Sequence, residues 1–301
     1  MVMASPLVEC VPNFSEGRDD SIIDAIIASI RSTEGVELLD VDMSADFNRT
    51  VVTMVGPPNS VLRAAIESTG VALDLIDMSN HSGEHARMGA IDVVPFIPIK
   101  DISMEECVIL SHEYGKSVSE KWGLPVYLYA ESAVNENRVK LPNIRKGEYE
   151  GLSDKILLPE WKPDFGPAKF IPKSGVTATG ARSILIAFNV NLDSDDKSIA
   201  NTIASKIRTS GSIVKDDNGE NITDEHGNVM RNPGMFQCLQ AAGWMYDENT
   251  AQVSMNLLDY SVTGLHMVTE EISREAQSHG LNAVAGELAV SYTHLTLPTK
   301  A

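Results

Sequence analysis

The chain has 301 residues, 43% of them hydrophobic, enough to bury one large core or two smaller ones. Its 24 Lys and Arg stand against 42 Asp and Glu, a formal net charge of -18 that repels polyanions and excludes DNA and RNA as partners. No window reaches the roughly 18 uninterrupted apolar residues of a membrane span, and the N-terminus lacks a basic stretch followed by a long apolar one, so a cytoplasmic protein is expected.

In chain order, an apolar strand-like run at 7–11 is followed by a helix near 21–31, strands at 36–41 and 50–55, and a helix near 60–76. A strand at 92–99, a helix near 104–122 and a short strand at 125–129 come next. Two adjacent strands between helices rule out a purely alternating parallel sheet and favour a mixed one. Periodicity then fades from 135 to 175, where Pro142, Pro159, Pro163, Pro167 and Pro172 recur, so this stretch reads as a long ordered loop.

A second unit begins with an apolar strand at 184–191 and a helix near 197–208. It continues with a strand at 252–257, a helix near 262–279 and a strand near 282–285. Between them, 210–230 is polar, and Asp217-Asn218-Gly219 and His226-Gly227-Asn228 read as tight turns of an exposed hairpin. The fold class expected is α+β: two α/β subdomains, each a mixed β-sheet in a ferredoxin-like pattern covered by helices, facing across a cleft. The boundaries fall at 1–183 and 184–290. Residues 291–301 resemble a translated sequencing adapter and are set aside with His294.

Cys10, Cys107 and Cys238 are odd in number and widely spaced, fitting reduced thiols rather than a disulfide framework. The densest group of chemically active side chains is 80–92, with His81, Glu84, His85, Arg87 and Asp92 beside a strand. His81-x-x-Glu84-His85 matches the pattern of inverted zinc peptidases, whose chemistry needs both His on one helical face; Gly83 and Gly89 oppose a helix here. A zinc-dependent hydrolase using His81, Glu84 and His85 is thus the rival from another class, and no metal is expected. Gly175 to Ser183 is glycine-rich but lacks the Gly-Lys-Ser/Thr ending of a phosphate loop, leaving a ligand-approaching loop or an ordinary turn.

His81-x-Gly83-x-His85-x-Arg87-Met88-Gly89-Ala90-x-Asp92 resembles the signature of the formiminotransferase family, as does the opening Val8-Glu9-Cys10-Val11-Pro12-Asn13-Phe14. Asn48-Arg49-Thr50, Asp164-Phe165-Gly166-Pro167, Thr177-Ala178-Thr179-Gly180-Ala181-Arg182 and Gln252-Val253-Ser254 extend the resemblance to about residue 287.

The resemblance implies transfer of a formimino group from N-formimino-L-glutamate to N5 of tetrahydrofolate, a co-substrate, in histidine degradation. It implies a homodimer, with the following cyclodeaminase step supplied by a separate protein. His85 becomes the acid–base residue, and Gly166, Pro167, Ala168, Lys169, Phe170, Ile171, Pro172, Lys173, Ser174 and Gly175 become the folate-binding loop. Ala86 stands where the family usually has Pro, so the loop loses a fixed φ there. Nothing in the residues separates formimino from formyl transfer, the nearer alternative.

The chemistry asks for these residue types. A proton must leave N5 and another must reach the departing nitrogen, which one His of near-neutral pKa performs. The amidinium donor asks for a carboxylate, assigned to Asp42. Substrate carboxylates ask for cations, assigned to Arg49, Arg87, Lys169, Lys173 and Arg182, with Asn48 beside them.

Overall fold

Val8 and Cys10 are fully buried in the helix-covered core while Glu9 between them takes the opposite face, the period-two pattern of a strand between two environments. The computed structural model describes residues 6–83, 85–216 and 219–290. Two compact units divide after Ser183.

The first unit runs β1 (Leu7–Cys10), β2 (Asn13–Phe14), α1 (Asp20–Arg31), β3 (Glu37–Ser44), β4 (Arg49–Gly56), α2 (Pro58–Leu75), β5 (Ile91–Lys100), α3 (Met104–Trp122) and β6 (Val126–Ala130). It closes with α4 (Glu136–Val139), α5 (Leu141–Arg145), α6 (Leu152–Lys155) and β7 (Thr177–Ala181). Local chemistry sets the helix ends. Asp19 caps α1 by accepting from Ser21 N, Pro58 occupies the first turn of α2, and Ser103 with Glu106 forms a capping box that starts α3.

β1 lies between β4 and β5, and β3 pairs with the outer side of β4, all antiparallel. With α1 and α2 as crossovers this is the βαββαβ order of a ferredoxin-like sheet. β7 and β6 then extend it in parallel beyond β5, making the sheet mixed. Apolar residues of α1, α2 and α3 bury one sheet face with Phe14, Met54 and Phe96. Over β5, β7 and β6 the other face is covered by Ile144 of α5, Leu152 of α6 and Ile156 just after it.

The second unit contains β8 (Ile186–Leu192), α7 (Lys197–Ile207), β9 (Ser212–Ile213), β10 (Arg231–Asn232), β11 (Leu239–Asp247), β12 (Thr250–Leu257), α8 (Leu265–Ser278) and β13 (Ala283–Val290). Its main sheet, β11-β12-β8-β13, is antiparallel throughout and repeats the ferredoxin-like order. Ala200, Ile203 and Ile207 of α7 and Val268, Ile272 and Ala276 of α8 bury one face of it. The polar stretch after α7 turns through Lys215↔Asn221 and Thr223↔Val229 bridges and is exposed; Asp217 and Asn218 lie outside the described residues, as does the tail at 291–301.

Three departures from the sequence reading have physical reasons. The stretch 135–175 is not a plain loop but carries α4, α5 and α6, each too short to generate a periodic signal. Thr177 to Ala181, read as a loop or turn, is a buried strand between two parallel neighbours, where both faces are covered and no alternation is required. β11 was not anticipated, although it alternates buried and exposed residues from Leu239 to Trp244.

Candidate active site

Directly opposed residues of paired strands share a face, and β3 and β4 set Asp42 against Val51 and Ser44 against Arg49, while β2 sets Asn13 against Val51. Asp42, Arg49 and Asn13 therefore occupy the sheet face away from α1 and α2. The Arg49 guanidinium donates to Asn13 Oδ1, and its Nε is buried without a hydrogen-bond partner among the described residues. Burial, with Arg145 nearby, pulls this guanidinium down to about 10, against the opposing pull of Asp92 and Asp42.

The loop carrying His85 is fastened to the β3–β4 turn. Asn48, at φ 47°, uses its whole amide: Oδ1 accepts from Gly17 N at 3.0 Å and Nδ2 donates to Ser82 O at 3.0 Å. Its carbonyl is 2.9 Å from His81 Nε2. Gly83 permits the approach, since a Cβ there would lie 2.3 Å from Phe47 O. Asn48, assigned to substrate from the sequence, is occupied in building the loop.

His81 is held at both nitrogens. Nε2 donates to Asn48 O, and Nδ1 accepts from Arg87 Nε at 3.3 Å, fixing a neutral tautomer. In this arrangement both His81 nitrogens are engaged with protein groups. Glu84, the proposed base of the zinc reading, lies outside the described residues. Arg87 is buried and bound to Glu148 at 3.0 Å and, in a two-pronged pair, to Glu150. The cation expected to receive a substrate carboxylate is neutralised by the protein's own acids.

His85 differs. Its Nδ1 lies 2.6 Å from Ala86 O and so carries the proton, while Nε2 has no hydrogen-bond partner among the described residues. Phe47 meets the ring edge-on at 6.1 Å between centroids. Burial, then Arg49 and Arg145, push the imidazole down to about 4 despite Asp92, not to the near-neutral value expected from the sequence. At neutral pH the ring is an uncharged base with an open Nε2.

Arg145 is the residue that sequence reasoning missed. It ends α5 and pairs with Asp92, buried at 1% exposure, whose Oδ1 also accepts Met88 N at 3.0 Å. The Leu141-Pro142 start of α5, with Pro in the first turn, was the available signal. Glu9 is the second omission: a carboxyl at 3% exposure, pushed up to about 7 by burial, with Arg182 pulling the other way. Arg182 thus acts on Glu9.

The 166–175 segment is stitched to the same loop. Ala90 N donates to Ser174 O at 2.9 Å, Val176 N to Met88 O at 3.1 Å, and Met78 N to Lys173 O at 2.9 Å. Phe170 packs on Tyr149 at 5.3 Å between centroids, and Tyr149 donates to Pro172 O at 2.7 Å. Gly166, Pro167, Ala168, Lys169, Pro172 and Lys173 are exposed, Ile171 is half-buried, and Lys173 Nζ donates to Asp74 O at 2.9 Å. The structure thus gathers His85, Arg49, Asp42 and the 166–175 segment in one unit.

Comparison with known proteins follows the two units. The N-terminal subdomain of the formiminotransferase domain matches residues 7–182, and the formiminotransferase domain matches 187–295. A glutamate formimidoyltransferase of Streptococcus pyogenes serotype M1 is 41% identical over 94% of this chain and 87% of its own length. That of Thermoplasma acidophilum is 40% identical over 94% of this chain and 86% of its length. The formimidoyltransferase-cyclodeaminase of Dictyostelium discoideum is 50% identical over 94% of this chain, which spans 50% of that relative's length. This chain therefore belongs to the formiminotransferase domain family.

Proposed function

We propose that the chain transfers the formimino group of N-formimino-L-glutamate to N5 of tetrahydrofolate, with His85 as acid–base residue. The observation that carries the reading is a neutral imidazole with an open Nε2, acted on by two arginines in a chain with this family's matches. N5 attacks the amidinium carbon and forms a C–N bond, and its proton passes to Nε2. The carbon–nitrogen bond to glutamate then breaks as that proton is returned to the leaving nitrogen.

The arginines give the imidazole its timing. Although Asp92 pairs with Arg145, burial and the two arginines together keep the ring uncharged, so Nε2 carries no proton and can only accept one. A substrate carboxylate beside Arg49 and Arg145 cancels part of their field and raises proton affinity when the ring must carry one. Asp42 is assigned to the amidinium, Arg182, Lys169 and Lys173 to outer carboxylates, and 166–175 to the folate. Homodimerisation and a cytoplasmic setting belong to the proposal through the family resemblance.

Competition tests the donor. Protein with tetrahydrofolate and equal N-formimino- and N-formyl-L-glutamate is expected to yield 5-formiminotetrahydrofolate; predominant formyl transfer would replace this reading with the formyl one.

A further inference from the structure

Lys155 ends α6, and its ammonium donates to three main-chain carbonyls at once: Asn143 at 3.0 Å, Ile144 at 2.6 Å and Lys146 at 2.9 Å. These carbonyls surround the end of α5, a five-residue helix too short to satisfy its own C-terminal acceptors. The same nitrogen lies 3.9 Å from the centroid of the Trp161 ring, so a fourth group fixes it from another direction. All three ammonium donors are committed to backbone, with no acidic partner among the described residues. Such a lysine is a clamp on main-chain geometry.

What the clamp holds is the turn that delivers Arg145. The Arg145 guanidinium pairs with Asp92, and the other oxygen of Asp92 holds Met88 N in the His85 loop. Arg145 and Asp92 both act on the His85 imidazole, alongside Arg49. A loosened α5 end therefore has a direct route to His85 through one ion pair and one backbone hydrogen bond.

We propose that Lys155 is a positioning residue of the transfer reaction: by locking the last turn of α5 it sets Arg145 against Asp92 and thereby fixes the loop and charge surroundings of His85. The proposal rests on the assignment of His85 as the acid–base group. Lys155 does not touch substrate and acts only through Arg145.

The test follows the His85 ring by NMR titration between pH 3 and 7, its resonance identified by its loss in His85→Ala. In the native protein the ring is expected to titrate near pH 4. In Lys155→Met, which keeps the apolar stem against Trp161, Arg145 is released and the midpoint rises by about one pH unit. Formimino transfer falls about tenfold in kcat. Lys155→Arg, which can still donate to the carbonyls, restores much of both. If Lys155→Met does not fold, the milder Lys155→Gln is read by the same midpoint. A folded variant whose His85 midpoint stays in place overturns the proposal even if activity drops. A midpoint that moves in a protein with no transfer activity supports the linkage and overturns only the reaction assigned to the site.

Discussion

Gly89 and Gly175 meet backbone to backbone in an isolated antiparallel bridge that joins the His85 loop to the 166–175 segment. Gly175 sits at φ +64°, and a Cβ there would lie 2.1 Å from Met88 O. Gly175→Ala is expected to lower stability by more than about 2 kcal/mol, combining left-handed backbone strain with a clash against main chain that cannot swing aside. Thermal melting checks it. A Tm within a degree of the native value would show that the two segments do not need this contact.

A second stability prediction concerns Asp164, in the Asp-Phe-Gly-Pro motif. Both its oxygens lie 2.8 Å from Arg138 Nη1, and Oδ2 also accepts Leu128 N at 2.7 Å. The Arg138 side chain is 4% exposed. Asp164→Ala leaves that guanidinium uncompensated and is expected to cost roughly 3–5 kcal/mol. Urea unfolding reads the loss; a change below about 1 kcal/mol would mean the pair is solvated.

The order of strands and helices was legible because α1, α2 and α3 are long and β1, β4 and β5 are strongly apolar. The signature loop was legible from its density of ionisable groups. What was missed shares one cause: residues whose role depends on distant partners. Arg145, Glu148, Glu150 and Lys155 lie on or between the short helices of a proline-punctuated stretch, and their partners are Asp92, Arg87 and backbone carbonyls. Glu9 looks like the outward residue of an alternating strand, and only the fold buries it. Arg87 and Asn48 were recognised as part of the site but not as its scaffold, since sequence proximity cannot tell a free cation from a paired one.

The pH dependence of stability follows from His85. Its folded value, about 4, lies below its ordinary 6.5, so the unfolded chain takes up the proton first as pH falls. The stability involved is fully present above about pH 6.5, is lost as pH falls toward 4, and is level below that. His81, also lowered by burial, contributes with the same sign. Comparing urea midpoints at pH 7 and pH 5, His85→Gln should show a smaller loss than the native protein. An equal loss in both would contradict the depressed value.

Arginines of the site should separate by function. Arg145→Met and Arg49→Met are expected to raise KM for N-formimino-L-glutamate by about tenfold to a hundredfold, the range for losing a charged hydrogen bond. Arg87→Met should lower stability while changing that KM less than threefold, a small effect on the same free-energy scale, because Glu148 and Glu150 already neutralise Arg87. Steady-state kinetics on the three variants decides it. A large KM effect confined to Arg87→Met would reverse the assignment.

The most direct measurement is formation of 5-formiminotetrahydrofolate from N-formimino-L-glutamate and tetrahydrofolate by the native protein and by His85→Ala. With Nε2 as the only base in the account, native turnover should fall by at least about a hundredfold in the folded variant, the usual scale of general acid–base catalysis. Turnover undiminished in His85→Ala would contradict the central claim.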